Sequence, residues 1–289
     1  MLERLAACAT TGVGSLPFAS PAEAAAHAAT AYDVPFCPQL PRLDGDMVAE
    51  WLGPSCGWSP ERDRERPHAW DAFLAEVTAR PPAHGVVKLQ VTGPLTLATA
   101  LEAHDPAPAF APAVVSLARE IAVWLAAAAS AQVAALAGRG LGALLIVDEP
   151  AGASAAAAHV WDPLRAAAPA WGLHFCCPVP WDAVQAAAPD VLSLDVARYG
   201  ADPRAAAQIE RGGRIAWGLL PVQGREGTGF AAARLADAVA ALGIEPARLF
   251  AHSLLTPACG TGLARPARER ALARSLHAAA AAARALPVG

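Results

Sequence analysis

Short runs rich in Val, Ile and Leu recur along the chain, separated by longer alanine-rich segments whose apolar positions return every three to four residues. The runs have strand length and the segments between them helical period, which is the pattern of parallel strands joined by helices. It predicts strands at Thr11–Leu16, Val34–Gln39, Val86–Thr92, Ala143–Val147, Gly172–Cys176, Val191–Asp195, Arg214–Leu219 and Leu249–Ser253. About eight such units fit one (β/α)8 TIM barrel, whose usual size is roughly 250 residues. Nothing resembles an interdomain linker, so residues 1–289 are expected to form a single α/β barrel domain. The segment Gly53–Pro67 reads as a long loop after the second strand, and its charged run Glu61–Arg66 as a solvated helical face.

Composition narrows the function classes. Hydrophobic residues make up 55% of the chain and charged residues 17%, ample for a large core, and the formal net charge of −4 offers no basic surface for nucleic acid or anionic lipid. The alanine tracts Ala126–Ala129 and Ala278–Ala283 read as helix filler. No uninterrupted apolar stretch approaches the roughly 20 residues a bilayer needs, so no membrane partner is expected. Six cysteines at irregular positions, two of them adjacent, make a poor disulfide framework and point to a reducing, cytoplasmic setting.

Candidate chemistry concentrates in Trp171–Pro178. In an extended chain His174 and Cys176 share one face, and Phe175 and Cys177 the other. Zinc takes such a nitrogen and sulfur pair at roughly 2.0–2.1 Å and about 2.3 Å, completing a tetrahedron with ligands from elsewhere. Asp195, at the end of one apolar run, and Cys259, beyond another, are the candidate suppliers. The plainer alternative makes His174 a satisfied core histidine and Cys176 a small buried hydrophobe. Barrel geometry favours the chemical reading, because catalytic groups gather at the carboxyl ends of strands. Gly14-Ser15, Thr92-Gly93-Pro94, Asp148-Glu149-Pro150, His174, Cys176, Asp195 and Cys259 all fall at or beyond such ends. Asp148 and Glu149 suit an ammonium group, or else Asp-Glu-Pro simply caps the helix after its strand.

Taken in order, these pieces resemble the cobalamin-independent methionine synthases and their shorter relatives in the uroporphyrinogen decarboxylase and methionine synthase superfamily. The resemblance lies in Ala9–Pro17, Asp46-Met47-Val48, Thr92–Thr96, Ile146–Ala151, the His174-x-Cys176 pair, Asp195 and Pro257-Ala258-Cys259-Gly260. It implies that His174, Cys176 and Cys259 bind a catalytic zinc, with Asp195 standing where the family generally has a glutamate ligand. It also implies that Ser15 and the backbone beside it, Gly14 included, hold the carboxylate of an amino-acid thiol. Asp148 would face its ammonium, with Glu149 beside it in the substrate pocket.

Three departures shape the expected reaction. The sequence matches the catalytic half of the long family enzymes and not the amino-terminal half that helps bind a folate polyglutamate. Gln223 stands where those enzymes place a histidine thought to deliver a proton to the folate, and an amide has no comparable acidity. Gln39-Leu40-Pro41-Arg42 occupies the region where the family carries a glutamate for the substrate ammonium. The expected activity is a zinc-dependent methyltransferase acting on a small thiol, homocysteine, to give methionine. A methylated corrinoid or corrinoid protein is the favoured donor over methyltetrahydrofolate. The alternatives are a uroporphyrinogen decarboxylase-like enzyme, which would need a cationic pocket, and a non-catalytic thiol- or corrinoid-binding barrel.

Overall fold

A computed structural model of the chain describes residues 1–53, 56–59, 67–102 and 112–285. The charged run Glu61–Arg66 lies outside the described residues. Seven parallel strands form one sheet: β1 (Ala9–Thr10), β2 (Val86–Thr92), β3 (Gly142–Asp148), β4 (Ala170–Phe175), β5 (Val191–Leu194), β6 (Arg214–Leu220) and β7 (Ser253–Pro257). Their order is β1-β7-β6-β5-β4-β3-β2, with helical crossovers between successive strands, and the sheet curls into a TIM-like barrel.

The edges of this sheet, β1 and β2, meet through the segment 34–39. On one side Val34 N donates to Thr10 O at 2.9 Å and Gln39 N to Gly14 O at 3.2 Å. On the other, Cys37 N donates to Lys88 O at 3.0 Å and Lys88 N to Pro35 O at 2.7 Å. The expected second strand is therefore an extended segment making isolated bridges, Ser15 with Gln39 and Phe36 with Lys88, rather than a ladder. Pro35 and Pro38 supply no N–H to one.

Two further boundaries correct the sequence reading. The first strand is Ala9–Thr10 rather than Thr11–Leu16, since the following run carries Gly12 and Gly14 and has few side chains to hold a ladder. The last strand is Ser253–Pro257 rather than Leu249–Ser253, most of which belongs to the helix Pro246–Ala251. Pro246 opens that helix, and Glu245 caps it by accepting from Ala247 N and Arg248 N, both at 2.9 Å.

Alternation sorts the strand side chains into two cores. Val86, Leu144, Ile146, Ala170, Val191, Ala216 and Leu254 fill the barrel interior. Their neighbours Val87, Leu145, Leu173, Leu192, Ile215 and Leu255 face outward into the larger core shared with the helices. Both alanine tracts are helical, one in Pro112–Ala137 and the other in Pro266–Arg284. Pro112–Ala137 is long and apolar enough to cross a membrane by length and composition, but half of its most apolar window is buried in this fold, where it packs on β3 and the helix Pro94–Leu101. All six cysteines are free thiols.

Candidate metal centre and substrate cavity

Strand register builds the site. Thr92 of β2 lies opposite Asp148 of β3, Asp148 opposite His174 of β4, and His174 opposite Ser193 of β5, so one row of polar groups crosses four neighbouring strands near their carboxyl ends. Cys176 follows β4 and Cys259 follows β7. The ligand atoms of His174, Cys176 and Cys259 all lie within 4.8 Å of one another. Ser193 Oγ sits 2.8 Å from His174 Nδ1 and fixes the ring, leaving Nε2 buried without a hydrogen-bond partner.

The three groups shift one another's proton affinities. Burial works against a charged His174, but the Cys259 thiol and the Asp148 charge outweigh it and push the imidazole up. A hydrogen bond from Cys259 holds the Cys176 thiol below its ordinary value, and the same contact together with burial raises Cys259. Two soft sulfurs and one oriented imidazole fit zinc: three protein ligands with a position left open is the usual form of a catalytic zinc site. In a zinc tetrahedron these atoms would stand roughly 3.5–4 Å apart, within the 4.8 Å that spans them here.

Asp195 is not part of this trio. Its side chain accepts from Arg198 N at 2.9 Å and caps the short helix Val196–Tyr199, while burial raises its carboxyl. Cys177 also stands apart, its sulfur 3.7 Å from Glu149 O.

Above the trio opens a cavity of about 510 Å³ lined on one side by His174, Cys176 and Cys259 and elsewhere by Ser15, Gln39, Glu50, Gln90, Asp148 and Gln223. Asp148 is 4% exposed, and burial raises its carboxyl despite His174, Lys88 and Gln90 nearby. Gln90 Nε2 donates to its Oδ2, and Lys88 Nζ donates to Gln90 Oε1, which fixes the amide orientation. Asp148 Oδ1 has no partner. Ser15 Oγ accepts from Gly262 N at 3.1 Å and so keeps its own proton to donate. Gly14 does not line the cavity; a Cβ there would meet Gln90 Nε2 at 2.4 Å and Gln39 Oε1 at 2.8 Å, so glycine lets the two amides converge.

Glu149, expected in the substrate pocket, is fully buried and does not line this cavity. It accepts from Leu95 N at 3.1 Å, Thr96 N at 2.9 Å, Thr96 Oγ1 at 2.7 Å and Trp161 Nε1 at 2.9 Å. These bonds tie the start of the helix Pro94–Leu101 to β3, so Glu149 does cap a helix, but the one that follows β2 rather than the expected helix after its own strand.

Sequence reasoning passed over Lys88, Gln90, Ser193 and Glu50. The first two carried a signal, being polar at alternate positions of the apolar run Val86–Thr92.

No protein-family model matches this sequence, and no curated protein matches it. Among solved structures the chain is similar to a methyltransferase from Methanosarcina mazei, at 14% identity over 98% of this chain and 96% of that one, with a TM-score of 0.60. A weaker likeness joins it to a B12-independent methionine synthase from Shewanella sp. W3-18-1 in complex with selenomethionine. That likeness has 15% identity, covers 77% of this chain and 68% of that one, and has a TM-score of 0.49. At such identities the likeness establishes the fold alone.

Proposed function

We propose that this chain is a zinc-dependent methyltransferase that transfers a methyl group to a small thiol, homocysteine, with a methylated corrinoid favoured as donor over methyltetrahydrofolate. The observation that carries this reading is the His174, Cys176 and Cys259 trio opening onto a cavity that also presents the unpartnered Asp148 Oδ1. A free thiol is mostly protonated at neutral pH, with a pKa of about 8.5, and bound zinc would hold it as the thiolate.

The remaining work falls to side chains already in place. Ser193 orients His174, Asp148 Oδ1 accepts from the substrate ammonium, and the Ser15 hydroxyl donates to its carboxylate. Asp195 is the candidate fourth ligand if its carboxylate leaves the Arg198 N–H; otherwise the position stays open for the substrate sulfur. In the transfer a sulfur–carbon bond forms as the donor–carbon bond breaks, and the leaving group keeps the electron pair. A departing folate nitrogen needs an acid, and Gln223 in the cavity lining is none. A departing cobalt centre needs no proton, which favours the corrinoid.

The test is methionine formation by zinc-replete protein from homocysteine with methylcobalamin, run beside methyltetrahydrofolate mono- and triglutamate. Methionine from the corrinoid and little from either folate is expected. Folate turnover unchanged by Gln223→Ala would overturn the donor assignment, and no methionine from any donor would overturn the methyltransferase reading.

A further inference from the structure

A second carboxylate shares the cavity with Asp148. Glu50 enters from the helix Ala49–Leu52, whose start is held by Asp46 Oδ1 accepting from Val48 N at 3.0 Å and Ala49 N at 2.8 Å. Gln39 Nε2 donates to Glu50 Oε2, as Gln90 Nε2 does to Asp148 Oδ2. Each carboxylate is thus held at one oxygen by an amide, and the two amides converge over Gly14. The other oxygens, Glu50 Oε1 and Asp148 Oδ1, are shielded from solvent and have no hydrogen-bond partner. Both residues line the cavity that contains the metal trio.

Leaving a buried acceptor unsatisfied is costly, more so when it is charged. Two bare carboxylate oxygens in one solvent-poor wall call for a compact cation with several N–H donors. Lys88, an interior cation beside this pair, is committed to Val13 O at 2.5 Å and Gln90 Oε1, so among the described residues it does not supply one. A primary ammonium has the required charge and three donors.

We propose that Glu50 is a specificity-determining residue that completes, with Asp148, a two-carboxylate seat for a primary ammonium, so that the site selects thiols bearing an amine. This rests on the thiol reading given above. Burial raises the Glu50 carboxyl to about 8, with the neighbouring Asp148 charge adding to the effect and the Gln39 bond opposing it. Cys37, itself raised by burial, and Lys88, lowered to about 8 by burial, lie beside this pair, and on the metal side His174 and Cys176 interact with Asp148. At pH 7 the empty seat therefore holds a proton on Glu50 that an arriving ammonium would displace.

The experiment compares homocysteine with 4-mercaptobutyrate, which lacks only the amine, binding to the zinc-loaded full chain and to Glu50→Gln. The variant should weaken homocysteine by about tenfold or more and 4-mercaptobutyrate by less than about threefold, the loss of a charge-assisted contact by one ligand alone. In the wild type, calorimetry in buffers of different ionisation heat should show homocysteine releasing about one proton more than 4-mercaptobutyrate, since the thiol proton is common to both. That measurement needs no variant and stands even if Glu50→Gln fails to fold. Equal weakening of both ligands, or equal proton release, would overturn the role of Glu50 while leaving the thiol reading intact. If neither thiol binds the zinc-loaded wild type, the thiol reading falls and this inference with it.

Discussion

Cys176 opens into the cavity beside Cys259 and His174, whereas the sulfur of its neighbour Cys177 lies toward Glu149 O. One step along an extended chain reverses the side-chain direction, and that alternation made His174-x-Cys176 legible in the sequence. The same alternation predicts a split in behaviour. Cys176→Ser together with Cys259→Ser should abolish the roughly one zinc per chain expected of a mononuclear site, whereas Cys177→Ala should leave it nearly unchanged. Metal analysis after purification under reducing conditions reads both, and stoichiometric zinc in the double variant would remove the assignment. Glu50 was not legible in the same way. It sits on a four-residue helix, too short to show a period, and its importance depends on an amide eleven positions earlier in the chain, at Gln39. Gln39 itself read as the loss of a family glutamate, and in the fold it is what holds another carboxylate in place.

At the scale of elements, the apolar runs located β2 to β6 well because each is buried on both faces and the residues that follow them are polar. The runs failed where another local signal competed. Leu249-Phe250-Ala251 looked like strand, yet Glu245-Pro246 just before it is a helix start, and the cap decided the outcome. Asp148-Glu149 shows the reverse, two adjacent acids divided between tasks by the end of β3. Asp148, still within the ladder, turns to the cavity, and Glu149, one residue later, gathers four donors from the helix Pro94–Leu101 and Trp161. Glu149→Gln would set an amide NH2 against some of those donors and should destabilise the fold by about 1–3 kcal/mol. The shift in denaturant midpoint measures it. Unchanged stability accompanied by a selective loss of thiol binding would return Glu149 to the substrate pocket.

Over the whole molecule, the barrel interior changes character along its axis. Val86, Leu144, Ile146, Val191 and Leu254 make one part apolar, while Lys88, Gln90, Asp148, His174 and Ser193 make the other polar and buried. The strand pattern implied a barrel, but not that its ends meet through the proline-interrupted segment 34–39, because that closure depends on contacts between residues far apart in sequence. Burying so many ionisable groups has a consequence for the metal-free protein. Glu50 has an ordinary value of 4.5 and is raised to about 8 in the fold. Below pH 4.5 it is neutral in both the folded and unfolded chain and imposes no penalty. As pH rises from there toward 8, the unfolded chain releases its proton while the folded chain keeps it, so stability falls across that window. Glu149, raised to about 7 by burial against its four donors, acts in the same direction. Lys88, lowered from 10.5 to about 8, disfavours the fold below pH 8 and relents only above it. Substituting Glu50 removes one of these contributions and leaves the others. Unfolding free energies measured with chelator present, at intervals from pH 5 to 8, should therefore show wild type losing ground to Glu50→Gln by up to a few kcal/mol as pH rises. The slope of that difference is the decisive quantity, because any constant offset from the altered Gln39 contact cancels. A difference flat across the window would mean that Glu50 is ionised in the empty cavity and that its unpartnered oxygen already finds water there.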